Sequence, residues 1–247
     1  MTLKVQWIAL LVFLSLGSKA QVEYLRLSPA QKIQQRVGMT DIELAFFRPQ
    51  MKGRKIFGDL VPYGKMWRTG ANENTTISFD HRIKIGETEV AAGKYALFTK
   101  PMETQWEIYF YKKVNNLDVP NPIDSTQLIY LTTVPSVEKS TTEETLVINF
   151  YSLTETTATL GIQWERTYVG IPLSFYTQEV MEKRMAKTFK KNILDYSIAA
   201  SYYAQRGIEL EKAKELRKLV LQLKEVPSAW DLYIYGSILL KMGQKEK

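Results

Sequence analysis

From Val37 onward apolar and polar residues alternate, and the alternation is broken at intervals by Gly, Pro, Asn and Asp. The clearest runs are Ile42, Leu44, Phe46; Trp106, Ile108, Phe110; Leu146, Ile148, Phe150; and Ala158, Leu160, Ile162, Trp164. Successive side chains of a strand point to opposite faces, so a period of two predicts half-buried strands. About nine strands are expected between Val37 and Phe175, with no long helical pattern between them, which favours an antiparallel β-sandwich over an α/β fold.

The period changes after Pro172. From Gln178 to Lys247 there is a single proline, Pro227, and apolar residues recur at helical spacing, as in Ile193, Tyr196, Ala200, Tyr203 and in Leu210, Ala213, Leu216, Val220. Compared with itself, the segment pairs Ala200, Tyr203, Gly207 with Gly236, Leu239, Gly243, an offset of 36 residues close to the tetratricopeptide period. The expected fold is therefore mainly β, an antiparallel β-sandwich over residues 21–177, followed by a short all-α, tetratricopeptide-like tail over 178–247. So few repeats cannot cover their own faces, and the tail is expected to dock on the β domain or on another chain.

The first twenty residues read differently again. Lys4 precedes an apolar run from Ile8 to Leu16, then Gly17, Ser18, Lys19 and Ala20 lead into Gln21. A basic start, a short apolar stretch and small residues at the junction predict a signal peptide over 1–20, cleaved near Ala20; the run is too short for a bilayer span. The mature chain is expected to be periplasmic or secreted, with no membrane span. With no cysteine in the sequence, a lipid anchor at the junction, disulfides, a thiolate nucleophile and thiolate metal sites are excluded.

The net charge of +7 suggests a nucleic-acid partner until it is located. Residues 21–177 hold 17 basic and 17 acidic side chains, whereas 178–247 hold 14 and 9, and Lys4 and Lys19 lie in the signal peptide. A neutral β half and a distributed excess on the tail read as a solvated helix face, and no nucleic-acid partner is expected.

One segment does not fit the strand pattern. Arg48 to Asn74 forms a long stretch with four glycines, stiffened by Pro49 and Pro62, and long loops of this kind in compact domains are often functional. It reads Arg48-Pro49, Lys52-Gly53-Arg54, Ile56-Phe57-Gly58, Leu60-Val61-Pro62-Tyr63-Gly64 and Trp67-Arg68-Thr69-Gly70-Ala71-Asn72-Glu73, and Ala92-Gly93 with Tyr95-Ala96-Leu97-Phe98 follows downstream. On these residues the chain resembles a bacterial domain-of-unknown-function family, number 2911, over roughly residues 28 to 175. Two positions depart from the family pattern: Asn74 stands where Ala is usual, and Lys100 where an apolar residue is usual before Pro101. The resemblance implies a secreted protein of the Bacteroidota, some of whose relatives append tetratricopeptide-like helices. It implies no activity and no catalytic residues.

The loop gathers Arg48, Lys52, Arg54, Tyr63, Trp67, Arg68, Asn72 and Glu73 as candidate ligand-binding residues. An indole beside guanidinium and amide groups can stack a sugar or clamp a carboxylate or phosphate. A second reading is structural: Trp67 caps the core, Arg68 pairs with Glu73 and Asn72 holds a turn. The single histidine, His81, is expected either on a strand face or in an exposed turn, and one histidine without cysteine excludes a two-histidine metal site and leaves little basis for zinc catalysis. No Gly-x-Ser-x-Gly elbow accompanies it, and no Asp-rich calcium loop is present. Carboxylate-pair hydrolysis survives, with Glu43, Asp59, Glu73, Glu107 and Glu165 as candidates. The leading expectation is an exported, non-catalytic binding or interaction module, without metal or cofactor, for a small anionic or sugar-like ligand, or for a protein partner through the tail; the alternative is a carboxylate-dependent hydrolase acting on an exported polymer such as a glycan.

Overall fold

The computed structural model of the chain describes residues 26–116, 118–188 and 192–243; the expected signal peptide lies outside them. Nine strands form the β domain: β1 (Ala30–Val37), β2 (Thr40–Phe47), β3 (Thr75–Phe79), β4 (Ile83–Ile85), β5 (Thr88–Val90), β6 (Gly93–Pro101), β7 (Gln105–Tyr111), β8 (Leu128–Tyr151) and β9 (Thr157–Phe175). All pairings are antiparallel, in the order β1-β2-β3-β6-β7-β8-β9-β4-β5. The first strand begins at Ala30, earlier than the alternation suggests. As an edge strand β1 is held through backbone bonds to β2, and in its Ala-Gln-Lys-Ile-Gln-Gln-Arg-Val sequence every second residue is exposed and only Val37 is buried.

β8 turns one layer into the other. Up to Pro135 it pairs with β7, and from Ser136 it pairs with β9, with register shifts between Glu138 and Val147. One large core follows, to which both halves contribute: Ile42, Leu44, Ile77, Leu97, Trp106, Ile108 and Phe110 from one side, and Leu146, Ile148, Leu160, Ile162 and Trp164 from the other; Ala96, Phe98, Tyr109 and Tyr111 of β6 and β7 form a second, smaller cluster. Every residue of the four alternating runs named above is buried.

Four helices follow: α1 (Thr177–Thr188), α2 (Ile193–Arg206), α3 (Leu210–Leu223) and α4 (Ala229–Lys241). Asn192 caps α2 by accepting from the Asp195 amide, Gly207 ends it at φ +67°, and Ser228 and Asp231 form a reciprocal capping box at the start of α4, one residue after Pro227. Ala199, Tyr203, Ala204, Ala213, Ile234 and Ile238 form a core separate from that of the β domain. The segment touches the β domain at its root: Thr177 Oγ1 donates to the Glu155 carbonyl at 2.6 Å, Arg206 pairs with Glu155, and Arg82 pairs with Glu179. Gly38, at φ +56°, is required here, because a Cβ would sit 2.1 Å from Thr177 Oγ1 and 2.4 Å from the Glu155 carbonyl oxygen.

The solvated-face reading of the tail's charge fails at one position. Arg217 is fully buried beside Asp231, itself 1% exposed, with Nη1 donating to Asp231 Oδ1 at 2.8 Å and to Ser197 Oγ at 3.0 Å. Nη2 donates to the Ser197 carbonyl and to Ser201 Oγ, and Asp231 Oδ2 accepts from Lys224 Nζ at 2.6 Å and from the Ser228 amide and hydroxyl. Burial alone would raise the Asp231 pKa, but the bonds from Lys224 and Ser228 together carry it well below the usual carboxylate range.

Candidate functional site

The Arg48–Asn74 segment is ordered by its own backbone, strand by strand. Pro49 and Met51 run beside β8, the Met51 amide donating to the Glu144 carbonyl at 2.8 Å and the Leu146 amide to the Pro49 carbonyl at 3.0 Å. Lys52 and Gly53 turn the chain at φ +50° and +73°. The next residues dive inward: Ile56, Phe57 and Val61 are buried members of the sandwich core, closed by the Val61 amide on the Ile56 carbonyl at 2.9 Å. Trp67 then lies against β6, exchanging both backbone bonds with Thr99 at 2.7 and 2.9 Å. The return is strained. Thr69, β-branched and fully buried, sits at φ +57°, held by its hydroxyl on Thr99 Oγ1 at 3.1 Å and by Thr75 Oγ1 donating to its carbonyl at 2.7 Å.

Glu165 fastens the segment to β9. Its Oε2 accepts from the Ile56 and Phe57 amides at 3.2 and 3.4 Å, and the residue itself adopts φ +54° at a pairing irregularity. Glu165→Ala is expected to lower stability by about 1–3 kcal/mol by orphaning two partly buried amides, and Glu165→Gln, which keeps an acceptor oxygen, by less. Urea unfolding of the two variants, followed by tryptophan fluorescence, separates these outcomes.

The sequence-nominated residues divide. Lys52, Arg54 and Trp67 line one cavity of about 410 Å³. Its deep wall is Trp67, Val61 and Trp164, the two indoles stacked at 5.9 Å and 20°. Leu27, Leu60, Pro49 and Ala71 add aliphatic sides, and Gln50, Ser28 and Gly70 complete the lining. Both indole N–H groups are already engaged, that of Trp67 with the Gly70 carbonyl at 3.0 Å and that of Trp164 with the Glu144 carbonyl at 3.3 Å, so only ring surface is offered. Arg54 Nε and Nη2 donate to the Met51 and Gln50 carbonyls at 2.8 and 2.7 Å, which fixes the guanidinium and leaves Nη1 without a partner among the described residues. No ion pair involves Lys52 or Arg54 among the described residues.

The other nominees serve different ends. Arg48 Nε donates to the Leu146 carbonyl at 2.9 Å, tying the loop to β8. Tyr63 packs against Gly58, where a Cβ would come within 2.7 Å of the ring; its pKa is raised by burial, with Glu103 and Glu165 adding. The expected Arg68–Glu73 pair does not form: Arg68 Nη1 donates to the Asn72 carbonyl and Nη2 reaches Asp118 at 3.2 Å, whereas Glu73 pairs with Arg26, whose hydrogen bond lowers its pKa. The reason is topological, since β1 brings the residues before it across the loop. Asn72 holds a left-handed turn at φ +55°. Arg26 and Glu73 line a separate hollow of about 580 Å³ with Phe47 and Asn74. His81 lies in the exposed bend between β3 and β4, its Nδ1 2.9 Å from Asp80 Oδ1. Among the carboxylate candidates, Glu43 pairs with Lys32, and Glu107 is held by Tyr109 and Lys100; both pKa values are lowered, by Lys32 and Tyr109 first.

Sequence reasoning missed Trp164, Val61 and Leu60 as lining residues. Trp164 and Val61 are core residues by pattern and remain buried, and only their placement beneath Trp67 makes them the floor of the cavity.

No group of three or more acidic or histidine side chains fit for a metal occurs among the described residues, and no helix among them is long and apolar enough to cross a membrane. No curated protein and no solved structure matches the chain. Residues 28–173, more than half of the sequence and the whole stretch that builds the cavity apart from Leu27, match the family described as Protein of unknown function (DUF2911), and the chain therefore belongs to that family.

Proposed function

We propose that this chain is an exported, non-catalytic binding module whose small ligand occupies the cavity over Trp67 and Trp164. One observation carries the reading: a hollow of about 410 Å³, within the usual range for small-molecule sites, has stacked indoles in its deep wall and two cations that form no ion pair among the described residues. In the hollow of 580 Å³, by contrast, Arg26 pairs with Glu73 and Lys32 with Glu43. Export rests on the N-terminal sequence pattern alone. The helices after Phe175 are read as tetratricopeptide-like hairpins that offer a protein partner the exposed Trp230, Tyr233 and Leu240 of α4; the left-handed glycines Gly207 and Gly243, 36 residues apart, agree with that repeat.

The hydrolase alternative has less to stand on, because Glu43, Asp59, Glu73, Glu107 and Glu165 all lie outside the lining of this cavity. Filling the cavity tests the binding reading. In a thermal-shift screen of sugars, sugar phosphates and carboxylates, at least one compound is expected to raise the melting temperature of the parent and to leave that of Ala71→Trp unchanged. A screen in which no compound acts on the parent, or in which every active compound acts equally on the variant, rejects the cavity as a ligand site.

A further inference from the structure

We infer that the ligand of this cavity is a small organic anion with an apolar body, in its simplest form a monocarboxylate, and not a neutral sugar; the inference rests on the cavity being a ligand site. The first argument is the inventory of donors and acceptors. Lys52 and Arg54 are donors only, and no Asp or Glu lines the cavity. The carbonyls of Gly70 and Gln50 already accept from Trp67 Nε1 and Arg54 Nη2, which leaves the Gln50 amide oxygen and the Ser28 hydroxyl as the side-chain acceptors of the lining. A pyranose brings several hydroxyl donors, each of which needs an acceptor on leaving water. A carboxylate brings acceptors only, which suits a donor-rich rim.

The second argument is charge. Between Lys52 and Lys65 the loop carries Lys52, Arg54, Lys55 and Lys65 against Asp59 alone. Two further carboxylates lie close, Glu144 Oε1 accepting from the Lys52 amide at 2.8 Å and Glu165 Oε2 from the Ile56 and Phe57 amides, and with their charges counted the cations still outnumber the anions by one. The third is the shape of what remains. With its N–H group engaged, Trp67 presents hydrocarbon, backed by the buried Trp164 and Val61 and continued by Leu60 and Ala71. That surface is met by an aromatic or branched aliphatic body. Because Arg54 is fixed by two carbonyls before any ligand arrives, little side-chain freedom is lost on binding.

Titration calorimetry of the purified chain with phenylacetate, phenylacetamide and methyl β-glucopyranoside decides the class, since the first two differ in charge and hardly in shape. Phenylacetate is expected to bind about tenfold more tightly than phenylacetamide, the gain of one charge-assisted hydrogen bond. The gap should shrink in Lys52→Gln and again at about 0.5 M salt, and Ala71→Trp should abolish the binding. Lys52→Gln leaves the backbone bond to Glu144 in place, and circular dichroism confirms that it folds. Equal or better binding of the amide or the glucoside overturns the anion while leaving the cavity a ligand site. Phenylacetate binding that is indifferent to both Lys52→Gln and Ala71→Trp also overturns it. Binding of none of the three, when a neutral compound from the screen does occupy the cavity, overturns the anion alone; an empty screen as well overturns both readings.

Discussion

Asp231→Ala should unfold the helical segment in water at room temperature while leaving the β domain folded. The substitution strands Arg217, which is fully buried and whose pKa is already pulled down by burial. Removing one member of a buried pair typically costs about 3–5 kcal/mol. The core of this segment, centred on Ala199, Tyr203, Ala213, Ile234 and Ile238, is small, and small cores supply only about 3–5 kcal/mol in total. Far-ultraviolet circular dichroism should show loss of the helical signal, with the tryptophan fluorescence of the sandwich retained. The paired change Arg217→Met with Asp231→Leu should restore the helices, because no uncompensated charge is then buried. If Asp231→Ala stays helical, the pair is not what holds the segment together.

The same pair sets the acid limit of the helices. A carboxylate whose pKa is depressed on folding contributes stability that is complete above its ordinary value, about 3.9, and is lost as pH falls towards the lower folded value. The urea midpoint of the helical signal should therefore hold steady from neutral pH down to about 5 and then fall. The paired change Arg217→Met with Asp231→Leu, which buries neither charge, should flatten that fall. An unchanged acid limb in the paired variant would place the titrating group elsewhere.

The second large effect is expected from Phe57→Ala. Phe57 belongs to the 48–74 segment yet is 2% exposed and touches Trp106 at a ring separation of 4.8 Å, with Trp67 at 6.1 Å and Trp164 at 6.3 Å. Emptying such a site costs about 3–5 kcal/mol, read as a lower urea midpoint of the tryptophan signal. Lys52→Gln, a few residues away and exposed, should leave the midpoint within about 0.5 kcal/mol of the parent. The contrast separates two roles that one segment combines: Ile56, Phe57 and Val61 are core, and Lys52 and Arg54 are rim. Equal effects of the two substitutions would refute that division.

The alternation of apolar residues determined the β architecture, because a sheet with one buried face must place every second side chain in the core; Ile42, Leu44, Phe46 and their counterparts on β7, β8 and β9 are all buried. It did not reveal β1, whose place at the sheet edge allows a polar sequence, nor the switch of β8 from β7 to β9, which follows from pairing between residues distant in sequence. The helical period and Pro227 marked the tail, but nothing local distinguished Arg217 from its solvated neighbours, since its partners Ser197, Ser201 and Asp231 come from two other helices. The composition of the 48–74 loop was enough to nominate Lys52, Arg54 and Trp67. Whether those three would share a cavity, while Arg68 turned to Asp118 and Glu73 to Arg26, depended on distances across the fold. Sequence determined which side chains could be buried, because burial follows a periodic pattern along the chain; tertiary structure alone decided which of them meet, because meeting is set by strand order and by the path of the loop through the core.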